Sequence, residues 1–338
     1  MNVESEKYWL FAIDGGPRKT LQPFLDFEQF LFCDSVKCEH FKNDWDNFFL
    51  DCKPHGVVVG TSRSKEGVYK EKMFRYFANK HQVRVVIVED YPGNYQHHKG
   101  IYTDLLIVES EDYKEKVRSL YDCSQVGKVE TGAVIRYSDI NTKFTQNYGQ
   151  YKNAIIQRKG KKVVLWIGQP EYENCLTTLN RIIGDLALLN VKLLFKSHPR
   201  DKGYKNGKYN QFMQECQVEV VDVSKHSLDE CIRLYPDIVV TQFSSVAVEM
   251  GFYGIPSVHV LFSDVGGARL YDMYNYYRPE ICSNKASVLI DSKEDQLSKL
   301  NEVINNLGFR NKLMENFSCY FRVNGTAAER VVQKILIQ

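Results

Sequence analysis

The stretch Ser244-Ser245-Val246-Ala247-Val248-Glu249-Met250-Gly251-Phe252-Tyr253-Gly254-Ile255-Pro256 decides how this chain is read. An apolar run, Ile238–Val240, leads into the paired serines, and an amphipathic segment of about three turns follows. Gly254 and Pro256 end that segment before a second apolar run opens at Ser257. The order is strand, turn, helix, strand, with hydroxyls at the helix start and one acid, Glu249, on its second turn. Backbone N–H groups at a helix start lack partners within the helix and carry partial positive charge, so the place suits a phosphate group. Glu249 is spaced to reach back over it and accept from a ribose hydroxyl, which fits a nucleotide mono- or diphosphate sugar. A serine there is also a good N-cap with no ligand at all.

At 338 residues the chain suits two α/β domains rather than one core. Its 44 basic and 42 acidic side chains nearly balance, leaving no global footprint for nucleic acid. The nine cysteines include no C-x-x-C pair and read as reduced, cytoplasmic thiols. Met1–Lys7 is polar and acidic, unlike a secretory signal, and no apolar run reaches the roughly 18 residues of a membrane span. The expected location is the cytoplasm, with peripheral contact at the inner face of the cytoplasmic membrane as an option. The basic cluster Arg158–Lys162 and the aromatic-rich Tyr271–Tyr277 are its candidate contact points, or else a solvated turn and a half-buried loop.

Working outward, β-type runs recur at Tyr8–Ile13, Gly56–Val59, Val83–Val88 and Asp104–Val108. Lys65–His81, charged on one side and apolar on the other, fits a helix between the second and third of these. Around Asn141–Lys162 the pattern turns polar and reads as a linker. A second cycle follows, with strands at Val163–Ile167, Val191–Phe195, Val218–Val221 and Ile238–Val240. Helices are expected at Glu173–Leu189, Leu228–Leu234, Lys293–Leu307 and Ala327–Ile335. Strands alternating with helices predict an α/β chain of two Rossmann-like domains with parallel sheets facing across a cleft. The boundaries are 1–150 and 151–338, with the C-terminal helix free to cross back.

Ligands of such sheets sit beyond the carboxyl ends of the strands, so polar residues directly after apolar runs are the candidates. His198 follows Val191–Phe195, and Pro199 biases it toward an extended backbone that projects its ring. An imidazole there donates to a phosphate or protonates a departing one; Lys196 and Arg200 flank it with charge, though strand alternation points them elsewhere. Gly168-Gln169-Pro170 follows Val163–Ile167, where glycine permits close approach of a ligand or simply makes a turn. In the first half, Asp14-Gly15-Gly16 ends the first strand, and Asp14 is a candidate general base or a capping aspartate. Thr61 and Ser62 end the next strand; Glu89 and Asp90 end the one after and are the alternative bases.

Other signals fail. Gly203–Lys208 is one residue short of a phosphate loop and lacks its terminal hydroxyl residue. Asp44-Trp45-Asp46 lies in a helical pattern and reads as a solvated face, not a metal site. His97-His98 has no companion ligands, and His259 sits inside an apolar strand as a core imidazole. No G-x-G-x-x-G follows a strand, and there is no G-x-S-x-G elbow.

Lys196–Arg200 and Thr241–Val258 resemble the His-Pro and Ser-Ser donor motifs of bacterial sialyltransferases and polysialyltransferases, which are GT-B glycosyltransferases. Thr241–Val246 is also similar to the matching segment of CDP-glycerol glycerophosphotransferases. The Ser245, Glu249, Gly254-x-Pro256 spacing resembles the nucleotide-binding helix of UDP-N-acetylglucosamine-using GT-B enzymes and of the non-hydrolysing 2-epimerase. The resemblance implies that Glu249 binds ribose, that Ser244 and Ser245 bind phosphates, and that His198 lies near the donor phosphate. The acidic-acidic-glycine motif of the sialyltransferases has no clear counterpart; Asp14-Gly15-Gly16 is nearest. The expectation is a metal-independent, cofactor-free transferase of capsule or lipopolysaccharide synthesis, with a CMP- or UDP-sugar donor on the second domain and a glycan or lipid-linked acceptor on the first. A CDP-polyol phosphotransferase, a nucleotide-sugar hydrolase or epimerase, and a non-catalytic nucleotide-sugar-binding protein are the alternatives.

Overall fold

The computed structural model describes residues 7–35, 44–91, 93–109, 111–132, 135, 160–274, 278–320 and 327–337. The expected linker lies outside them except at its C-terminal end, as do residues 158–159 of the basic cluster and 275–277 of the aromatic segment. The chain forms two compact units, Met1–Asn141 with Val323–Gln338, and Thr142–Arg322.

In unit 1 the order is β1 (Tyr8–Phe11), α1 (Gly15–Leu21), β2 (Phe30–Phe32), α2 (Trp45–Cys52), β3 (Gly56–Val59), α3 (Lys65–Lys80), β4 (Arg84–Val88), β5 (Thr103–Val108), α4 (Glu111–Leu120) and β6 (Val126–Thr131). All pairings are parallel, in the order β2-β1-β3-β4-β5-β6. Runs such as Val57-Val58-Val59 are apolar at every position because both faces of the sheet are covered. One face packs Trp9, Val57 and Ile87 against Phe48, Phe49 and Phe74 of α2 and α3. The other packs Leu10, Val58 and Val86 against Phe24 and against Val331, Val332 and Ile335 of the C-terminal helix Ala327–Leu336. Polar bonds fix that helix: Tyr8 Oη and Arg84 Nη1 donate to the Ile335 carbonyl at 3.3 and 2.5 Å.

Unit 2 runs β7 (Val163–Ile167), α5 (Tyr172–Leu188), β8 (Lys192–Lys196), α6 (Lys202–Lys205), α7 (Asn210–Glu215), β9 (Glu219–Asp222), α8 (Leu228–Ile232), β10 (Ile238–Thr241), α9 (Val246–Phe252), β11 (Ser257–Val260), α10 (Gly266–Tyr274), α11 (Glu280–Ser283), β12 (Val288–Ile290), α12 (Gln296–Asn305) and α13 (Leu307–Tyr320). Its parallel sheet has the order β12-β11-β10-β7-β8-β9. Trp166, Phe195 and Val240 meet Leu179, Ile182 and Leu186 of α5 in its core. At the N-terminal edge of that sheet Asp237, 1% exposed, accepts from the Val163 N–H at 2.8 Å and pairs with Arg310 at 3.3 Å.

Several expectations change in detail. The helix after Ser245 has seven residues, two turns rather than three, because Gly254 adopts a left-handed φ of 75° and turns the chain toward β11. Lys293–Leu307 is the start of two helices, broken where Asn306 turns extended (ψ 100°). Gly203–Lys208 forms a short helical turn and the approach to another. The three-residue strands β2 and β12 gave no sequence signal, and β6 reads as polar because it is a sheet edge.

Candidate functional site

In unit 2, β7 connects to β8 on one side, while β10 lies on the other side of β7 and leads to β11. The connections diverge at the carboxyl ends of β7 and β10, the place where open α/β sheets bind ligands. The register sets Ile167 beside both Lys196 and Thr241. Three sequence candidates therefore meet there: Gly168-Gln169, the turn holding His198, and the turn holding Ser244 and Ser245. The Gly168 N–H donates to the Lys196 carbonyl at 2.9 Å, and a Cβ at Gly168 would stand 3.4 Å from the His198 nitrogen.

The turn into the serines is braced from within. Thr241 Oγ1 donates to the Ile167 carbonyl at 2.8 Å. Gln242, 1% exposed, donates through Nε2 to Thr178 Oγ1 at 2.8 Å and to the Asn174 carbonyl at 3.3 Å. Its carbonyl lies 2.8 Å from His259 Nδ1. A carbonyl only accepts, so the proton sits on Nδ1, and burial holds the His259 pKa down to about 4. His259 is thus the core imidazole expected. Ser244 Oγ accepts from the Val246 N–H at 3.3 Å and is the hydroxyl that caps α9. Ser245 occupies the N-cap position, and Glu249 is half-buried on the second turn.

His198 is half-buried, and its Nδ1 accepts from the Arg200 N–H at 3.0 Å. The ring proton is therefore on Nε2. Burial first, and the Arg200 charge second, lower its pKa, so the ring is neutral near pH 7 and offers an N–H. Gln169 is 7% exposed; its backbone N–H donates to Cys175 Sγ at 3.0 Å, while its side-chain Nε2 has no hydrogen-bond partner among the described residues. Lys196 does not join the site. Its ammonium donates to the Ser224 carbonyl at 3.5 Å and to that of His226, in the turn after β9. Pro199 and Arg200 are exposed on the rim.

In unit 1 the strand order reverses between β1 and β3, and the candidates of the first half gather at those ends. Asp14 accepts from the N–H groups of Arg63 and Ser64, each at 2.8 Å, and from Ser64 Oγ at 2.6 Å. These bonds tie the turn after β1 to the start of α3. Ser62 Oγ accepts from the Asp14 N–H at 2.9 Å and donates to Glu71. Asp90 Oδ1 accepts from Thr61 Oγ1 at 2.8 Å and from Asn94 Nδ2 at 2.6 Å, while Oδ2 lies 3.0 Å from where a Cβ on Gly16 would be. Gly15 has open space around it. Glu89 is buried and accepts from the Tyr95 N–H at 2.8 Å, which makes it a brace for the turn that follows.

Glu71 escaped the sequence reading. It is 5% exposed, and it accepts from the Ser62 and Ile13 N–H groups at 2.8 and 3.3 Å. Burial, outweighing these bonds, raises its pKa to about 7. The signal was present: Gly67, Glu71, Phe74, Arg75 and Ala78 fall on one helical face, and that face is buried. Arg75, also buried, donates to the Gln96 carbonyl at 3.0 Å and to Thr103 Oγ1 at 3.1 Å. Asp44 caps α2, and Asp46 pairs with Lys80 at 2.5 Å, as a solvated face would. No cluster of metal-ligating side chains occurs among the described residues, and among them no helix is long and apolar enough to cross a membrane.

Two Rossmann-like units, each a six-stranded parallel sheet flanked by helices, give the chain the GT-B fold. No protein-family model and no curated protein matches the sequence. Solved structures do match nearly its whole length. The UDP-GlcNAc 2-epimerase of Methanocaldococcus jannaschii aligns with a TM-score of 0.60 at 14% identity, over 98% of this chain and 100% of that one. S. aureus MnaA with UDP aligns at 0.61 and 15% identity, over 97% and 95%. The wall teichoic acid polymerase TagF, in a variant soaked with CDPG, aligns at 0.51 and 14% identity, over 99% and 88%. At such identities the likeness is one of fold.

Proposed function

We propose that this chain is a GT-B glycosyltransferase that moves a sugar from a nucleotide-activated donor to a glycan or lipid-linked acceptor of a bacterial surface polysaccharide. The observation that carries this reading is the meeting of Gly168-Gln169, His198 and Ser244-Ser245 at the strand-order reversal of unit 2. That place presents a neutral imidazole N–H and a buried amide donor, with a half-buried carboxylate on α9. These are the groups needed to hold a departing phosphate and a ribose. Donors fixed before the reaction act on charge as it develops on the phosphate oxygen, without reorganising. In this scheme His198 Nε2–H and Gln169 Nε2–H serve the phosphate, and Glu249 takes the ribose hydroxyls. Of the unit 1 carboxylates, Asp90, whose Oδ2 faces Gly16, takes the acceptor proton in preference to Asp14, whose two oxygens hold the Arg63 and Ser64 N–H groups and the Ser64 hydroxyl.

The fold likeness to TagF supports a second reading, transfer of a polyol phosphate from a CDP-linked donor. Thermal shift with CMP, CDP, UMP, UDP, GDP and TDP, on wild type and on Gln169→Ala and Glu249→Ala, tests the site. Stabilisation by one nucleotide, lost in both variants, is expected, and no stabilisation at millimolar nucleotide removes the proposal. Release of CMP from a CDP-polyol selects the second reading, and donor turnover without acceptor selects an epimerase or hydrolase.

A further inference from the structure

A concavity of ≈ 950 Å³ lies in unit 1 at the opposite end of the sheet from the candidate site, where β4 and β5 begin and the chain enters β6. At about 3.3 Å per residue, the length of β4 sets it roughly 17 Å from Asp90. Its lining is almost entirely polar, with Val83 and Ile101 the aliphatic exceptions.

Four planar polar side chains in it share one feature. Each is fastened to the frame through one atom and has a second polar atom without a protein partner among the described residues. Asn79 Oδ1 accepts from the Tyr102 N–H at 2.6 Å, leaving Nδ2. Arg84 Nη1 donates to Tyr8 Oη at 3.0 Å and to the Ile335 carbonyl, leaving Nη2. Asp104 Oδ2 accepts from the Val85 N–H at 2.8 Å, leaving Oδ1. Gln125 Oε1 accepts from the Asp122 N–H at 3.1 Å, leaving Nε2. The remaining atoms are three donors and one acceptor, already oriented, so little freedom is lost when a ligand arrives. Tyr102 adds a ring, 37% exposed, whose hydroxyl sits over Gly127 and leaves no room for a Cβ there.

We propose that this concavity is a non-catalytic carbohydrate-binding site for an oligosaccharide that presents vicinal hydroxyls. A hydroxyl donates and accepts at once, so neighbouring hydroxyls bridge an acceptor such as Asp104 Oδ1 and a donor such as Arg84 Nη2. The apolar C–H face of a sugar ring packs on an aromatic face such as that of Tyr102. A lipid tail has nothing to pair with these groups, and a nucleobase would find the rings of Tyr102 and His97 but no buried apolar slot. Strand polarity separates this site from the reacting end, so it grips a glycan without taking part in chemistry. It stands on unit 1 geometry alone and does not depend on the donor site of unit 2.

The test uses the full chain on an array of linear neutral oligosaccharides, followed by saturation-transfer NMR with the tightest binder. Asp104→Asn keeps the acceptor for the Val85 N–H and turns the free acceptor into a donor; Tyr102→Ala removes the ring. Each substitution is expected to weaken binding about tenfold, with the melting temperature and any nucleotide stabilisation unchanged. The proposal is overturned if wild type binds no oligosaccharide at millimolar concentration. It is equally overturned if binding survives both substitutions, or if Glu249→Ala abolishes binding while Tyr102→Ala does not. Nucleotide stabilisation reads the unit 2 site separately, so the two proposals fail independently.

Discussion

Glu71 makes the stability of unit 1 depend on pH in a direction that can be worked out. Its carboxylate is closed off by α3, by the turn after β1 and by Ser62, and its pKa rises from 4.5 to about 7. The folded state therefore keeps a proton that the unfolded chain releases, and stability falls as pH rises from 4.5 to 7, then levels off. At 1.36 kcal/mol per pKa unit, that rise corresponds to about 3 kcal/mol. Histidines work in the opposite sense: burial lowers the pKa of both His98 and His259 to about 4, so they add stability as pH rises from 4 toward 6.5. The raw profile mixes these effects, and the difference between wild type and Glu71→Gln isolates one of them. Urea unfolding across pH 4.5–8.5, read by pulsed amide exchange of the α3 peptides at one labelling pH, gives that difference. Wild type should lose about 3 kcal/mol relative to the variant across the range. The amide's imperfect match to the Ser62 and Ile13 donors adds only a constant offset. A difference that is flat with pH, or that grows in favour of wild type toward high pH, refutes the reasoning.

Asp237→Ala would leave the Arg310 guanidinium, itself 8% exposed, without its carboxylate, and should destabilise unit 2 by about 3–5 kcal/mol in urea unfolding. Gly251→Ala puts a Cβ into the Phe317 ring, which is buried against α9; a loss of about 1–3 kcal/mol is expected, relieved by Phe317→Leu in the same chain. Ending the chain at residue 322 removes Val331, Val332 and Ile335 from one face of the unit 1 sheet. Amide exchange should then accelerate in β1 and β4 while unit 2 peptides stay protected.

The parts of the unit 2 candidate site were legible because they are local. A strand end followed by a glycine, a His-Pro pair or two serines can be read from a few neighbours, and the carboxyl-end rule says which ones matter. The unit 1 candidates were legible only as names. Asp14, Glu89 and Asp90 look alike in sequence; the hydrogen bonds that hold Asp14 to Arg63 and Ser64 and Asp90 to Thr61 join turns 29 to 50 residues apart, and only the bond that makes Glu89 a brace is local. Glu71 and Arg75 were missed for a related reason. A helix with charges reads as amphipathic, whereas two of its charges are on the inward face, held by polar groups from the turn after β3 and from β5.

By itself the sequence determined the alternation of strands and helices, the parallel sense of both sheets and the two-unit plan. Apolar runs, periodicity and turn residues act over a few positions, and crossover chirality does the rest. Tertiary structure alone decided the strand orders, and with them which turns become neighbours. It also brought the C-terminal helix back onto the first sheet, drew Lys196 away to the turn after β9 and closed off Glu71 from water. Each of these is a pairing between distant segments, settled by which surfaces bury the most apolar area while keeping most buried polar atoms paired, and no short window of sequence contains both sides of that choice.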